Sequence, residues 1–143
     1  MKLFLATFYM IPFCVFALEV KMPSGIPDPG YNTAASELKE YTEKITGNKN
    51  EPITFTLATD QSMPEQAWKA ESVPDGVKFT GGSPAGLLYA VHHYLEDVCG
   101  VHWWSYWEES VPKLKEMPVK NVNISGNPGF RIRDIFALYA NDN

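Results

Sequence analysis

Hydrophobic positions along the chain recur at two spacings, one helical and one extended, separated by clusters of proline and glycine. Ala34, Leu38, Tyr41 and Ile45 share one face of a predicted helix, with Glu37, Lys39, Glu40, Glu43 and Lys44 elsewhere on it. Thr33 is its predicted N-cap and Gly47 its stop, after a Pro/Gly-rich lead-in over residues 23–30. Residues 53–57 alternate Ile-Thr-Phe-Thr-Leu behind Pro52, which predicts a strand with Ile53, Phe55 and Leu57 on one side. Residues 60–66 are polar and read as a loop.

Residues 68–73 and 77–80 flank Pro74-Asp75-Gly76, where proline fixes φ and glycine admits positive φ, so the segment predicts a hairpin. Gly81-Gly82-Ser83-Pro84 then turns the chain into a second helix, with Ser83 as N-cap and Pro84 at the first helical position. Leu87, Leu88, Val91, Tyr94, Leu95 and Val98 form its apolar stripe, while His92, His93, Glu96 and Asp97 fall mostly outside it. Gly100 stops this helix, and residues 101–104 follow as a short strand. After an irregular aromatic and acidic stretch over residues 105–116, residues 119–124 alternate as another strand. Gly126-Asn127-Pro128-Gly129 breaks the chain before a new alternation over residues 130–136. Two helices and about five strands make an α/β fold, a small mixed sheet with both helices on one face.

The first seventeen residues stand outside that fold. Lys2 supplies a positive start, residues 3–16 are almost all apolar, and Val15-Phe16-Ala17 places small residues at −3 and −1 of a cleavage site, the pattern of a secretory signal peptide. The apolar stretch falls short of the roughly 20 residues of a membrane span and contains Pro12. Phe13 is too bulky for lipoprotein processing at Cys14, so export without lipid is expected, to a secreted or periplasmic location. Cleavage near Ala17 would leave Cys99 alone, with no intramolecular disulfide, so stability would come from a packed core.

Composition narrows the function. The 143 residues are 45% hydrophobic and 20% charged, suited to one globular domain. Seventeen acidic against twelve basic residues give a net charge of −5, which disfavours nucleic acids and anionic membranes as partners.

Four groups of residues invite a chemical reading. The glycine loop at residues 81–86 could surround an anion, but it lacks the lysine of a P-loop and the spacing of a dinucleotide fingerprint, so a structural turn is favoured. His92 with Glu96 and His93 with Asp97 have metal-ligand spacing on a helix, yet no further histidine completes a set and a solvated face is favoured. Cys99 has no adjacent base and reads as a buried structural thiol. No cofactor or metal is expected. The run His102-Trp103-Trp104-Ser105-Tyr106-Trp107 could be a carbohydrate platform; but extended neighbours face opposite sides, which favours one tryptophan in the core and the rest against a neighbouring domain. Asn123-Ile124-Ser125 fits the N-glycosylation pattern, which matters only in a eukaryotic secretory pathway. No acidic pair is placed by motif for glycoside hydrolysis, so catalysis within these residues has no sequence support.

Five segments in order resemble the N-terminal domain that precedes the catalytic barrel in α-glucuronidases, β-hexosaminidases and related secreted glycoside hydrolases. They are Ala34-Ala35-Ser36-Glu37-Leu38-Lys39-Glu40-Tyr41 with Ile45-Thr46-Gly47, Gly86-Leu87-Leu88-Tyr89-Ala90-Val91 with Leu95-Glu96, Gly100-Val101-His102-Trp103-Trp104, Glu108-Glu109-Ser110-Val111-Pro112, and Pro128-Gly129-Phe130-Arg131-Ile132-Arg133-Asp134. The resemblance implies a non-catalytic domain over residues 18–126 that packs beside a (β/α)8 barrel in the same full-length chain. Residues 127–143 would then be the start of that barrel, truncated before its catalytic residues. Arg133 matches the arginine that touches sugar in hexosaminidase-type relatives; an interdomain salt bridge is an equal reading of it. The competing expectation is a self-contained carbohydrate-binding module that meets oligosaccharide through Trp104, Tyr106 and Trp107.

Overall fold

A computed structural model describes residues 17–23, 28–50 and 52–129. Most of the proposed leader and the segment carrying Arg133 lie outside the described residues.

A short strand, β1 (Glu19–Lys21), leads into helix α1 (Pro29–Thr46). The helix starts at Asp28 rather than at the expected Thr33. Asp28 is extended, and its carboxylate accepts a hydrogen bond from the Gly30 amide at 2.7 Å, while Pro29 takes the first helical position. Thr33 is therefore an interior residue whose hydroxyl donates to the Pro29 carbonyl. The helix ends as expected, with Gly47 left-handed at φ 72° and its amide returning to the Glu43 carbonyl.

Strand β2 (Thr54–Thr59) runs parallel to β1, with α1 as the crossover. Strands β3 (Trp68–Val73) and β4 (Gly76–Gly81) form the expected hairpin, Val73 standing opposite Gly76 across Pro74-Asp75. Strand β4 inserts between β2 and β3, parallel to the first and antiparallel to the second, and β7 (Asn123–Gly126) closes the far edge beside β3. The result is a five-stranded mixed sheet in the order β1-β2-β4-β3-β7. Strand β1 was not legible in the sequence, since three residues carry no period. Nor does β7 fill the alternation over residues 119–124: Asn121 adopts φ 61° and turns the chain, so pairing in β7 begins at Asn123.

Register separates the two faces of the sheet. Phe55 stands beside Val77, and Leu57 beside Phe79, which faces Ala70, itself opposite Ile124. The other face carries Thr56, Lys78, Glu71 and Asn123 in one row and Thr80, Lys69 and Ser125 in the next. Helix α1 and a second helix, α2 (Pro84–His93), both pack on the apolar face, where Leu38, Ile45, Leu87 and Val91 join Phe55, Val77 and Phe79 in one core. Phe55, Phe79 and Tyr94 meet edge to face at its centre.

Helix α2 starts on Ser83 and Pro84 as expected, then widens into a π turn over Tyr94–Val98. There the Cys99 amide reaches back to the Tyr94 carbonyl, and Gly100, at φ 80°, ends the helix. The expected strand over residues 101–104 does not join the sheet. Its residues form β5 (His102–Trp103), which pairs with β6 (Glu109–Ser110) as a separate two-stranded ribbon. No helix among the described residues is long and apolar enough to cross a membrane.

Candidate functional site

The β5–β6 ribbon divides the aromatic run between core and solvent, because successive residues of an extended strand face opposite sides. Trp103 is half-buried against the core, its ring edge-on to Tyr41 at 5.5 Å and near His92 at 5.4 Å. Trp104 is 68% exposed, and Tyr106 and Trp107, at the turn, are each 89% exposed. Tyr106 and Trp107 stand nearly perpendicular, 85° apart with centroids at 4.5 Å. Two perpendicular rings cannot together lie flat against one sugar face.

One side-chain network fixes the ribbon to α1. The Trp103 indole Nε1–H donates to the Tyr41 hydroxyl at 2.6 Å, and that hydroxyl donates to Glu109 Oε2 at 2.6 Å. Lys44 Nζ donates to Glu109 Oε1 at 2.6 Å and pairs with Glu40 at 2.8 Å. It also sits 4.6 Å from the centre of the Tyr41 ring. The electrostatics follow the bonds. Glu109 is held below the ordinary carboxylate range by the hydrogen bonds of Lys44 and then of Tyr41. Lys44 is raised, chiefly by its bond to Glu109 and then by that to Glu40. Tyr41 is raised by burial first and by Glu109 second.

The structure places the remaining candidates in structural roles. In the glycine loop, the Gly82 amide donates to the Ala67 carbonyl, the Gly86 amide to Ser83 Oγ and the Leu87 amide to the Ser83 carbonyl, so these donors are already committed. A Cβ on Gly86 would stand 2.6 Å from the Ala67 carbonyl oxygen, which explains the glycine as close packing. Cys99 is buried, and burial pushes its thiol up to about 12.

The two histidine pairs separate. His93 bonds Asp97 at 3.0 Å and stacks on Trp68 with centroids 4.3 Å apart. His92 does not pair with Glu96 on a solvated face; it turns inward beside Trp103, and burial lowers its pKa. His93, Glu96 and Asp97 stand within ligating reach of one another, but Glu96 and Asp97 are exposed. Asn123 is exposed on the polar face of β7. Arg133 lies outside the described residues.

Tyr41, Lys44 and Glu109 were not singled out from the sequence. Tyr41 read as part of a helix stripe and of a resembling segment, with no role assigned, and its bond to Glu109 spans 68 positions of sequence, so no local spacing announces it.

No family model and no curated protein matches the chain. Among solved structures it is similar to a GH138 enzyme targeting pectin rhamnogalacturonan II, with a TM-score of 0.48 and 12% identity over 66% of this chain and 11% of that one. It is also similar to the GH20 exo-β-N-acetylglucosaminidase of Vibrio harveyi, at TM-score 0.46 and 17% identity over 82% of this chain and 16% of that one. The N-acetyl-β-hexosaminidase of Streptomyces plicatus gives 0.41 and 18%, over 54% and 16%. These neighbours are glycoside hydrolases, and the chain spans between 11% and 16% of their length.

Proposed function

We propose that the chain is the non-catalytic N-terminal domain of a secreted glycoside hydrolase of the α-glucuronidase or β-hexosaminidase-like type, involved in polysaccharide breakdown. In this reading residues 1–17 are a cleaved leader, and the ribbon bearing Trp104, Tyr106 and Trp107 packs against a (β/α)8 barrel of the same full-length protein. The observation that carries it is the combination of a well-packed sheet-and-helix core with three large aromatics held out in solvent on one ribbon. An exposed apolar group of this kind is characteristic of a surface meant to be covered. The ordered sequence resemblance supplies the kind of partner. Arg133 belongs to the same reading, as a bidentate donor to sugar hydroxyls at the start of the barrel.

The second reading, an independent carbohydrate-binding module, draws on the same exposure of Trp104 and Trp107. Titration of the chain with xylo-, glucurono- and amino-sugar oligosaccharides, followed by tryptophan fluorescence, separates the two. The docking reading expects no saturable change. Saturable binding that disappears in Trp104→Ala and Trp107→Ala would replace it with the binding module. Reading the coding DNA beyond the Asn143 codon gives the complementary test: a continued frame encoding barrel strands supports the proposal, and an immediate stop codon overturns it.

A further inference from the structure

The ribbon has too little structure of its own to stay in place. It contains two residue pairs, His102 opposite Ser110 and Trp103 opposite Glu109, and shares no strand pairing with the five-stranded sheet. An isolated two-stranded ribbon is marginal in water even when longer. Its turn is held by the Trp104 amide on the Glu108 carbonyl at 2.9 Å and by weaker bonds through Ser105. The exposed rings at the tip bury too little area to anchor it.

Each strand of the ribbon instead sends one side chain to the same atom. Trp103 and Glu109 are a cross-strand pair, and both converge on the Tyr41 hydroxyl. The direction of the bonds is fixed by chemistry. Indole can only donate, so the hydroxyl oxygen accepts from Trp103 and its single proton is free for Glu109, whose ionised carboxylate can only accept. Lys44 occupies the second carboxylate oxygen. Downstream, the Leu114 amide bonds the Ile45 carbonyl and Lys113 Nζ bonds the Lys44 carbonyl, which ties the base of the ribbon to the end of α1 but leaves the tip to the network.

We propose that Glu109 is a positioning residue: through Tyr41 it latches the ribbon to α1 and presents Trp104, Tyr106 and Trp107 as a preformed docking surface rather than one that orders on contact. The inference rests on the docking reading for its purpose, but the latch itself requires no partner. Pre-ordering the tip removes part of the entropy cost of association.

Residue-resolved amide hydrogen exchange on the 143-residue chain tests it. In Glu109→Ala and Tyr41→Phe the Trp104 amide should exchange about tenfold faster or more, as expected for losing charge-assisted bonds, while the β2–β4 amides keep their protection. Glu109→Gln retains an acceptor for the Tyr41 proton and should recover part of the protection. Unchanged Trp104 exchange in both disruptive variants overturns the latch. Equal acceleration in ribbon and core also overturns it, since that would mark a general contribution to stability. Should Glu109→Ala fail to fold, Tyr41→Phe alone decides, because it deletes one oxygen and keeps the ring contact. Failure of the docking reading would appear in the sugar titration or the downstream frame, and failure of the latch only in exchange.

Discussion

Glu109 on the ribbon and His92 packed beside its Trp103 are opposite kinds of titrating group, an acid and a base, and both make the protein sensitive to acid. Glu109 has a folded pKa below its ordinary value of 4.5, so its stabilising contribution is present above that value and fades as pH falls through the folded pKa. His92 is a base whose folded pKa is lowered from 6.5, so the unfolded chain takes up its proton first and stability begins to fall as pH drops below 6.5. The surrounding charges are Lys44 and Glu40 on α1 beside Glu109, and Glu37, His93 and Glu96 around His92. Lys44, with a raised pKa, stays protonated throughout this range. Urea midpoints measured from pH 7 to pH 3 should therefore decline in two stages. Glu109→Gln should keep the upper, histidine-linked stage and reduce the lower one, to which Asp60, held low by its bonds from Ser62, also contributes. Loss of the upper stage in that variant, with the lower one intact, would show that the two groups have been assigned the wrong roles.

At the scale of elements, the start of α2 shows how local chemistry and close packing share the work. Ser83 Oγ accepts from the Gly86 amide at 3.2 Å and donates to the Glu65 carbonyl at 2.6 Å, joining cap and preceding loop. Ser83→Ala should cost about 1 kcal/mol, read from denaturant midpoints with an unchanged slope. Gly81→Ala should be harsher, because its Cβ would meet the Leu87 amide nitrogen at 2.1 Å and the backbone cannot give way like a flexible side chain. A loss of about 3 kcal/mol or more, or failure to fold, is expected there. A near-neutral Gly81→Ala would mean that α2 does not sit on the end of β4 as described. The same contrast explains what could be read in advance. Ser83-Pro84, Gly47 and Pro74-Asp75-Gly76 are local signals, and each element they mark is present. The π turn is different: Tyr94 and Leu95 were legible as stripe positions and Cys99 as a buried thiol, but the widening of the helix over Tyr94–Val98 is a tertiary demand no helical period encodes. The start of α1 was missed because Gly30 suggests a break, whereas Asp28-Pro29 is a complete start signal. The ribbon was legible as an aromatic cluster with opposed tryptophans, but its attachment was not, since Trp103 meets Tyr41 across 62 positions of sequence.

For the molecule as a whole, the two sides of the sheet have been treated differently. One is covered by both helices; the other carries Lys69, Glu71, Lys78 and threonines, with Lys69 and Glu71 paired at 2.6 Å, and is suited to water. Exposed large hydrophobic residues are correspondingly few among the described residues: Met22, Leu114, and the three aromatics of the ribbon. Among the described residues, the ribbon is thus where the chain has most to gain from association. A net charge of −5 opposes contact between copies, and salt screens that repulsion while leaving the apolar attraction in place. Light scattering should therefore show self-association that grows with protein concentration and with ionic strength. A triple substitution, Trp104→Ser with Tyr106→Ser and Trp107→Ser, should abolish it. Because these side chains contribute little to the core, the melting temperature should stay within about 3 °C of the parent chain. Association that persists in the triple variant would move the sticky surface elsewhere and remove the main physical support for docking through the ribbon. A large fall in melting temperature would instead mean that the three rings are part of the folded core after all.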